Sequence, residues 1–243
     1  MPKVTLVIPA YNEQSRLPAS AVLAYLADHV NVTILFVNDG SSDQTGAIME
    51  AAKQQSSGQI RTLHLERNSG KAEAVRQGML HLINDTDADW LGFWDADLAT
   101  PLSTVQTLLD HASVDTDLLM CSRIKRLGAA VERHAWRHVC GRIMATLVSF
   151  TLKLPVYDTQ CGAKLIHRRI ASELFSTPFL TKWLFDVEIL ARLIQHSGRG
   201  NVMRTVSEVP VAVWKDIKGS KLRFHDMLRT LIDIVRIKAH YRL

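Results

Sequence analysis

Two aspartates, Asp95 and Asp97, follow a strongly apolar run in the stretch WLGFWDADLATP (residues 90–101). Carboxylates fixed at the end of a buried strand supply the hard oxygen ligands that Mg²⁺ and Mn²⁺ prefer, and phosphate oxygens can complete such a shell. Aspartates are also common in turns, so the pair by itself leaves a polar strand end as an alternative.

A second polar segment, VNDGSSD (residues 37–43), follows another short apolar run. Asp39 is positioned to accept a hydrogen bond from an N–H group of a nucleobase. The alternative is a simple turn in which Ser41 or Ser42 caps the helix that follows. Both interpretations place this segment at the end of a strand.

Gly70 and Lys71 open a third segment, GKAEAVRQG (residues 70–78), which reads as the start of a helix. Backbone N–H groups at a helix N-terminus can approach a phosphate, and a lysine there adds a positive charge. An ordinary first turn with a solvated lysine explains the same residues.

The elements that must position these segments alternate along the first half of the chain. Strand-like runs occupy residues 4–8, 32–37, 60–65, 89–94 and 117–121, and helical stretches occupy residues 15–28, 41–55 and 71–83. This alternation predicts an α/β domain with a mostly parallel sheet flanked by helices. Ligands of such sheets bind beyond the carboxyl ends of the strands, where the polar segments lie. Pro9 replaces the glycine-rich turn of a dinucleotide-binding Rossmann unit, which argues against that class.

The second half has a less regular pattern. It predicts a helical region at 128–153, a loop and short strand at 156–168, a helix at 181–196 and a strand at 206–214. From residue 223 onward an amphipathic helix is predicted, with one apolar stripe formed by Phe224, Met227, Leu228, Leu231 and Val235. We therefore expect a domain over residues 1–222 followed by a basic amphipathic helix over residues 223–243.

Length and charge restrict the function further. The 243 residues are enough for one sizeable domain, with 47% apolar and 22% charged residues. Residues 1–115 hold 7 Lys/Arg against 14 Asp/Glu, a net charge of −7, whereas residues 116–243 hold 22 against 10, a net charge of +12. A basic half predicts an anionic partner, but the acidic half holds the best motifs, which disfavours a nucleic-acid binder.

The expected location is the cytoplasm, at the membrane surface. Three cysteines without a CxxC pair fit a reducing compartment. The sequence enters its first strand without a signal-peptide pattern. The longest apolar stretch, residues 143–152, is about half the roughly 18 to 20 residues that span a bilayer.

The motifs together resemble a known family. VIPAYNE (7–13), VNDGSSD, GKAEAVRQGM (70–79) and DADLATP (95–101) resemble the family-2 glycosyltransferases of the GT-A fold. SR (122–123), DTQCGAKLIHR (158–168), WLFDVEIL (183–190), EVPV (208–211) and KGSKL (218–222) are similar to polyprenyl- and dolichyl-phosphate sugar synthases, most closely the dolichyl-phosphate glucosyltransferase branch. This resemblance implies an inverting transfer of a hexose, preferably glucose from UDP-glucose, to a polyprenyl phosphate with Mg²⁺ or Mn²⁺.

The resemblance also implies roles for single residues. Donor-binding positions would be Pro9, Ala10, Tyr11, Glu13, Asp39, Gly70, Lys71, Asp95, Ala96, Ser220 and Lys221. Acceptor-binding positions would be Arg123, Arg137, Gln160 and Lys215. Asp97 would be the main metal ligand, Asp95 would contact metal, ribose or sugar, and Asp158 would be the candidate base. A phosphate monoester has its second pKa near ~6, so the acceptor is already largely anionic at neutral pH. Asp158 would therefore orient groups at the acceptor more than remove a proton.

Several alternatives remain open at this stage. Ala99 stands where mannose-transferring relatives often have a polar residue that assists the metal, yet GDP-mannose remains an alternative donor and a soluble glycan or protein an alternative acceptor. A non-catalytic, membrane-associated nucleotide-sugar-binding protein is an alternative of another class. Residues 141–154 and the tail helix are candidates for contact with the membrane surface, and the tail stripe packing on the core is the alternative. A membrane-spanning partner protein or a second copy of the chain would also fit.

Overall fold

The structure, a computed structural model, describes the backbone of residues 1–132, 135–215 and 224–243 and the side chains of residues 1–131, 141–214 and 229–243. The strands are β1 Val4–Ala10, β2 Val32–Asn38, β3 Ile60–His64, β4 Trp90–Trp94, β5 Leu118–Ser122, β6 Ala130–Glu132, β7 Ala163–His167, β8 Val206–Pro210 and β9 Val213–Lys215. The helices are α1 Ala19–Ala27, α2 Thr45–Gln55, α3 Lys71–Asp85, α4 Thr104–Leu109, α5 Ala135–Leu152, α6 Arg168–Phe175, α7 Phe185–Ser197, α8 Arg199–Thr205 and α9 Phe224–Tyr241.

The main sheet has seven strands in the order β3-β2-β1-β4-β7-β5-β8. All neighbouring pairs are parallel except those of β7, which runs antiparallel between β4 and β5. The predicted α/β class with a mostly parallel sheet is therefore confirmed. The inserted β7 brings a segment of the second half of the chain next to β4, the central strand that Asp95 directly follows.

The core lies on both faces of this sheet. All seven residues of β1 are buried, as expected for a strand covered on two sides. One hydrophobic cluster contains Val7 with residues of α3, α6 and α7, and the other contains Leu6 and Ile8 with residues of α1, α2 and α4. The alternation of side chains along β1 thus divides the helices between two layers.

Three predicted elements differ in the structure. The predicted strand at 206–214 is two strands, β8 and β9, because the chain leaves the main sheet after Pro210 and β9 pairs with β6. The predicted helix from residue 128 begins at Ala135, after β6. Helix α2 begins at Thr45, whose N–H donates to Asp43 Oδ1 (2.9 Å), so the predicted cap by Ser41 or Ser42 is wrong.

The C-terminal helix α9 packs on the domain through Ile234, Ile237 and Tyr241, which are buried. Leu231 and Val235, two members of the predicted apolar stripe, are exposed instead. These two residues do not face the core, and the side chains of the other three stripe members, Phe224, Met227 and Leu228, lie outside the described residues. Within the described residues, no helix combines the length and the hydropathy needed to cross a membrane.

Candidate active site

The carboxyl ends of β1, β2 and β4 border a cleft at one edge of the sheet. Its lining consists of Pro9, Ala10, Tyr11, Glu13, Asp39, Lys71, Ala74, Asp95, Ala96 and Asp97. All of these except Ala74, on helix α3, are residues that the sequence assigned to donor or metal. Gly70, the remaining described donor candidate, is the N-cap residue of α3 and directly precedes Lys71.

The two aspartates are held in a tight turn after β4. Trp94, whose side chain is fully buried, donates its indole N–H to the carbonyl of Thr100 (2.7 Å) and so closes the turn. Asp97 Oδ1 accepts the N–H of Ala99 (3.0 Å). Because the turn is fixed by a buried tryptophan, both carboxylates are positioned before any ligand binds.

Lys71 reaches across the cleft to Asp95, with 2.5 Å between Nζ and Oδ1. Its Nζ also lies 5.7 Å from the centre of the Phe185 ring. Burial lowers the pKa of Lys71, but attraction to Asp95 and Asp186 outweighs burial, so that the pKa is raised overall. The cleft therefore holds a lysine that stays charged, beside one carboxylate of the pair.

Asp97 has the opposite electrostatic character. Burial raises the pKa of its carboxyl group, while the hydrogen bond from Ala99 acts against this shift. A bound cation would relieve that destabilisation of the carboxylate. Throughout the described part of the chain, no group of three or more His, Cys, Asp or Glu side chains is placed to hold a metal ion. Two carboxylates fit Mg²⁺ or Mn²⁺ when phosphate oxygens and water complete the shell.

Asp39 is buried and uses both carboxylate oxygens to fix the loop before α3. Oδ1 accepts the N–H of Ser69 (2.8 Å) and Oδ2 accepts the N–H of Gly70 (2.9 Å). Gly70 has a φ of 91°, a conformation that favours glycine. Asp39 thus positions the start of α3, and its contact with a nucleobase stays a prediction.

A second group of polar residues lies at the end of β5. Arg123 donates through Nε and Nη2 to Asp158 (2.7 and 2.8 Å), and its backbone N–H donates to the same carboxylate (3.0 Å). The backbone N–H of Gln160 also donates to Asp158 (3.2 Å). A carboxylate with so many donors is suited to orienting an arginine rather than to accepting a proton. The Gln160 side-chain amide nitrogen is buried without a hydrogen-bond partner among the described residues.

The two groups meet at Gly162. The N–H of Asp95 donates to the carbonyl of Gly162 (2.8 Å), which extends the pairing of β4 with β7. A Cβ atom at position 162 would lie 2.0 Å from the Asp95 carboxylate. Because only glycine leaves this space, the loop that carries Asp158 can touch the residue that begins the DAD turn.

Comparison with known proteins identifies the family. The profile of Glycosyl transferase family 2 matches residues 5–175. The chain belongs to this family. It is 32% identical to a dolichyl-phosphate beta-glucosyltransferase of Dictyostelium discoideum and 30% identical to one of Saccharomyces cerevisiae, over 99% of this chain and 75% of each relative. The resemblance drawn from the motifs is confirmed.

Solved structures share the fold of this glycosyltransferase. Glucosyl-3-phosphoglycerate synthase from Mycobacterium tuberculosis in complex with UDP superposes with a TM-score of 0.69 at 18% identity, over 100% of this chain and 81% of that one. The same enzyme with Mn²⁺, UDP-glucose and phosphoglyceric acid gives a TM-score of 0.70 at 16% identity, over 99% and 79% of the two chains. The predicted GT-A fold is thus confirmed.

Four predicted site residues of the glycosyltransferase cannot be placed in this geometry. Ser220 and Lys221 lie outside the described residues. Arg137 lies in α5 and Lys215 ends β9, but their side chains are also outside the described set. Their roles stay predictions.

Three charged residues near the Arg123–Asp158 pair have contacts that the sequence motifs did not single out. Arg142 stacks its guanidinium 3.4 Å from the centre of the Tyr157 ring and donates to the Tyr157 carbonyl (3.0 Å). Glu208 accepts the N–H groups of Tyr157 and Asp158 (2.8 and 2.6 Å). Lys164 is fully buried within β7. The sequence did contain a sign of this buried contact, because a lysine inside the apolar strand AKLIH requires a charged or polar partner.

Proposed function

We propose that this chain transfers glucose from UDP-glucose to a polyprenyl phosphate with inversion at the anomeric carbon. The observation that carries the proposal is the junction at Gly162, where a cleft with paired carboxylates meets a partly buried arginine–carboxylate pair. The names of the full-length relatives give the same reaction class.

On the donor side, Asp97 and Asp95 would hold a Mg²⁺ or Mn²⁺ ion together with the diphosphate. The ion would supply neutralisation of the negative charge that develops on the departing nucleoside diphosphate. Lys71 would add a second positive charge at the same place, since its Nζ lies within hydrogen-bond distance of Asp95. Mn²⁺ and UDP-glucose occur together in the complex of the structural neighbour glucosyl-3-phosphoglycerate synthase.

On the acceptor side, Arg123 would bind the lipid phosphate while Asp158 keeps its guanidinium oriented. The free amide nitrogen of Gln160 offers a further donor to the phosphate. An oxygen of the acceptor phosphate attacks the anomeric carbon as the bond from that carbon to the diphosphate oxygen breaks. The acceptor is already anionic near neutral pH, so no residue has to remove a proton.

The acceptor would reach the site from a membrane surface on which the chain docks peripherally, at the cytoplasmic face. Helix α5 exposes Ile143, Leu147 and Phe150, which share one helical face, and Phe150 is 76% exposed. Helix α9 exposes Leu231 and Val235 between basic residues. Apolar side chains beside positive charges are typical of helices that lie in the headgroup region. Residues 223–243 would then serve as an interfacial helix appended to the catalytic domain 1–222.

The central test measures transfer of labelled glucose from UDP-glucose to polyprenyl phosphate with Mn²⁺ and with Asp97→Asn. We expect the variant to lose at least about 100-fold in kcat, because charge stabilisation of this kind is worth roughly that much. Asp110→Asn, on the surface beyond α4, is the control and should keep full activity. Unchanged Mn²⁺-dependent transfer in Asp97→Asn would refute the metal role. UDP binding without transfer to any lipid phosphate would favour a nucleotide-sugar-binding protein.

The membrane contact has its own test. We expect Phe150→Ser to reduce flotation with vesicles that contain anionic lipid, and Val30→Ser, at an 85% exposed position far from α5 in the sequence, to leave it unchanged. Equal flotation of the two variants would remove α5 from the membrane contact.

A further inference from the structure

Lys164 is a buried cation with every proton engaged. Its Nζ donates to the carbonyls of Thr159 (2.9 Å) and Cys161 (2.7 Å) and to Asp186 Oδ1 (2.5 Å). No surface of Lys164 is exposed, and Asp186 is buried as well. The ammonium group therefore ties the backbone of one loop to the first turn of helix α7.

A buried ion pair contributes little net free energy to folding. The desolvation of two charges can exceed their attraction, and apolar residues of similar volume often do as well or better. Here the lysine also satisfies two backbone carbonyls that flank Gln160. The geometry of the loop, rather than stability alone, is what this pair determines.

The same loop is fixed from its other side by Glu208. Its two carboxylate oxygens accept the backbone N–H groups of Tyr157 and Asp158. Glu208 thus binds the backbone N–H groups at the start of the loop, and Lys164 binds the backbone carbonyls at its end. Between these two attachments lies the carboxylate that binds Arg123 in the fork geometry.

Asp186 extends this connection to the donor side. It contributes to the raised pKa of Lys71, whose Nζ contacts Asp95. The neighbouring Phe185 ring lies 5.7 Å from the same Nζ. The start of α7 therefore lies between Lys71 in the donor cleft and Lys164, which holds the loop of residues 157–161 (the acceptor loop).

We infer that the Lys164–Asp186 pair is a positioning device for the acceptor: it sets the backbone of residues 158–161 and, through Asp158, the direction of Arg123. The inference deepens the proposed function and rests on it. Neither residue is among the proposed substrate contacts, so the pair acts mainly on acceptor use, and its effect on the donor cleft is limited to the attraction between Asp186 and Lys71.

The decisive variant replaces the whole pair, Lys164→Met with Asp186→Leu. Neither charge is then left unpaired, so we expect a higher melting temperature than for Lys164→Met alone. The carbonyls of Thr159 and Cys161 still lack their donor, so the end of the loop is no longer fixed, although Glu208 still holds its start. We expect kcat/KM for polyprenyl phosphate to remain at least about tenfold below wild type, since small displacements of a positioned group cost that much.

The matched control is Glu188→Gln, which disturbs another buried ion pair on the same helix. Glu188 accepts from Leu180, Arg192 and Tyr241 and has no contact with the acceptor loop. This variant should lose stability but keep its KM for polyprenyl phosphate. Glu188→Gln should keep the wild-type affinity for UDP with Mn²⁺, measured by calorimetry. Variants without the Asp186 charge should lose less in this affinity than in acceptor kcat/KM, because Lys71 loses the attraction of Asp186 but keeps its contact with Asp95.

The inference would be overturned if the double variant recovered both the melting temperature and the acceptor kcat/KM of the wild type. Asp186→Asn, which leaves Lys164 a neutral acceptor, gives a second measurement if the double variant does not fold. It should raise the KM for polyprenyl phosphate, and an unchanged KM would count against the pair.

If the wild-type chain moved no glucose to lipid phosphate, the proposed function would be refuted. Hydrogen exchange of the backbone amides would then still test whether the pair positions the loop. Exchange of residues 157–162 should become faster in Asp186→Asn and in the double variant, and stay at the wild-type rate in Glu188→Gln. Equal exchange in all variants would refute the positioning role independently of any activity.

Discussion

The proposed donor cleft around Lys71 and Asp95 and the proposed acceptor side around Arg123 and Asp158 are both built from charged residues, yet they are held in different ways. On the donor side the side chains of Lys71 and Asp95 remain 40% and 39% exposed and have each other as partners. On the acceptor side the side chains of Arg123 and Asp158 are 15% and 12% exposed, and Lys164 is fully buried. The Lys71–Asp95 pair on the donor side is therefore partly open to solvent, whereas the charges on the acceptor side are fixed by other parts of the fold.

The difference indicates how each side gains from its ligand. A diphosphate with a divalent ion would relieve the burial of the Asp97 carboxylate, so donor binding should add stability. The acceptor side is already ordered, so a phosphate would find Arg123 with little reorganisation to make. Deletion of the charge of Lys71 or Asp95 should therefore be better tolerated by the fold than deletion of the charge of Arg123 or Asp158.

The largest expected effect is that of Arg123→Leu. It removes the proposed partner of the acceptor phosphate and the two guanidinium hydrogen bonds to Asp158. We expect a loss of about 1000-fold in kcat/KM for the acceptor and about 2 kcal/mol or more of unfolding free energy. Urea unfolding and the transfer assay measure the two effects.

Arg61→Leu is the control for that comparison. Arg61 pairs with Asp85 on the surface, where the ion pair should be worth less than about 1 kcal/mol. If Arg123→Leu were no less stable than Arg61→Leu, the acceptor side would not be fixed by its charges and the contrast between the two sides would disappear.

Gly162→Ala should have the next largest effect, because it acts where the two sides meet. The new methyl group would displace the Asp95 carboxylate, so we expect kcat to fall about tenfold with a stability loss of about 1 kcal/mol. Gly200→Ala, in α8 with no atom within 4 Å of the added carbon, should be neutral or slightly stabilising. Full activity in Gly162→Ala would show that Asp95 need not keep its position.

The smallest expected effect is on the stability of the metal-free chain. The pKa of Asp97 is raised in the folded state, so the folded state takes up its proton more readily than the unfolded state. Asp97 should therefore cost stability at neutral pH and cost less as pH falls through its raised pKa. Asp97→Asn keeps the acceptor for the Ala99 N–H and should melt a few degrees higher at pH 7.

Melting curves of wild type and Asp97→Asn over a pH series measure this effect. The difference between the two should shrink toward acid pH, and Mn²⁺ with UDP should stabilise only the wild type. If Asp97→Asn melted at a lower temperature than wild type at pH 7, burial of the Asp97 carboxylate would not cost the stability expected here.

Much of the donor cleft could be predicted from sequence. The apolar runs that end in VIPAYNE, VNDGSSD and DADLATP are parallel strands, and parallel strands bring their carboxyl ends to one edge. Family resemblance pointed to Arg123, Asp158 and Gln160 as well. The local pattern failed where short elements depend on distant partners, as for β6 and β9, which pair only with each other.

The α/β class, the family and most residues of the cleft could be read from local periodicity and from motifs in a fixed order. How the loop around Asp158 is held could be seen only once the chain was folded. The insertion of β7 between β4 and β5 places Gly162 against Asp95 and aligns Lys164 with Asp186 and Glu208 with Tyr157 and Asp158. Such contacts join segments 22 to 67 residues apart, and their pairing depends on how strands pack rather than on any pattern within one segment.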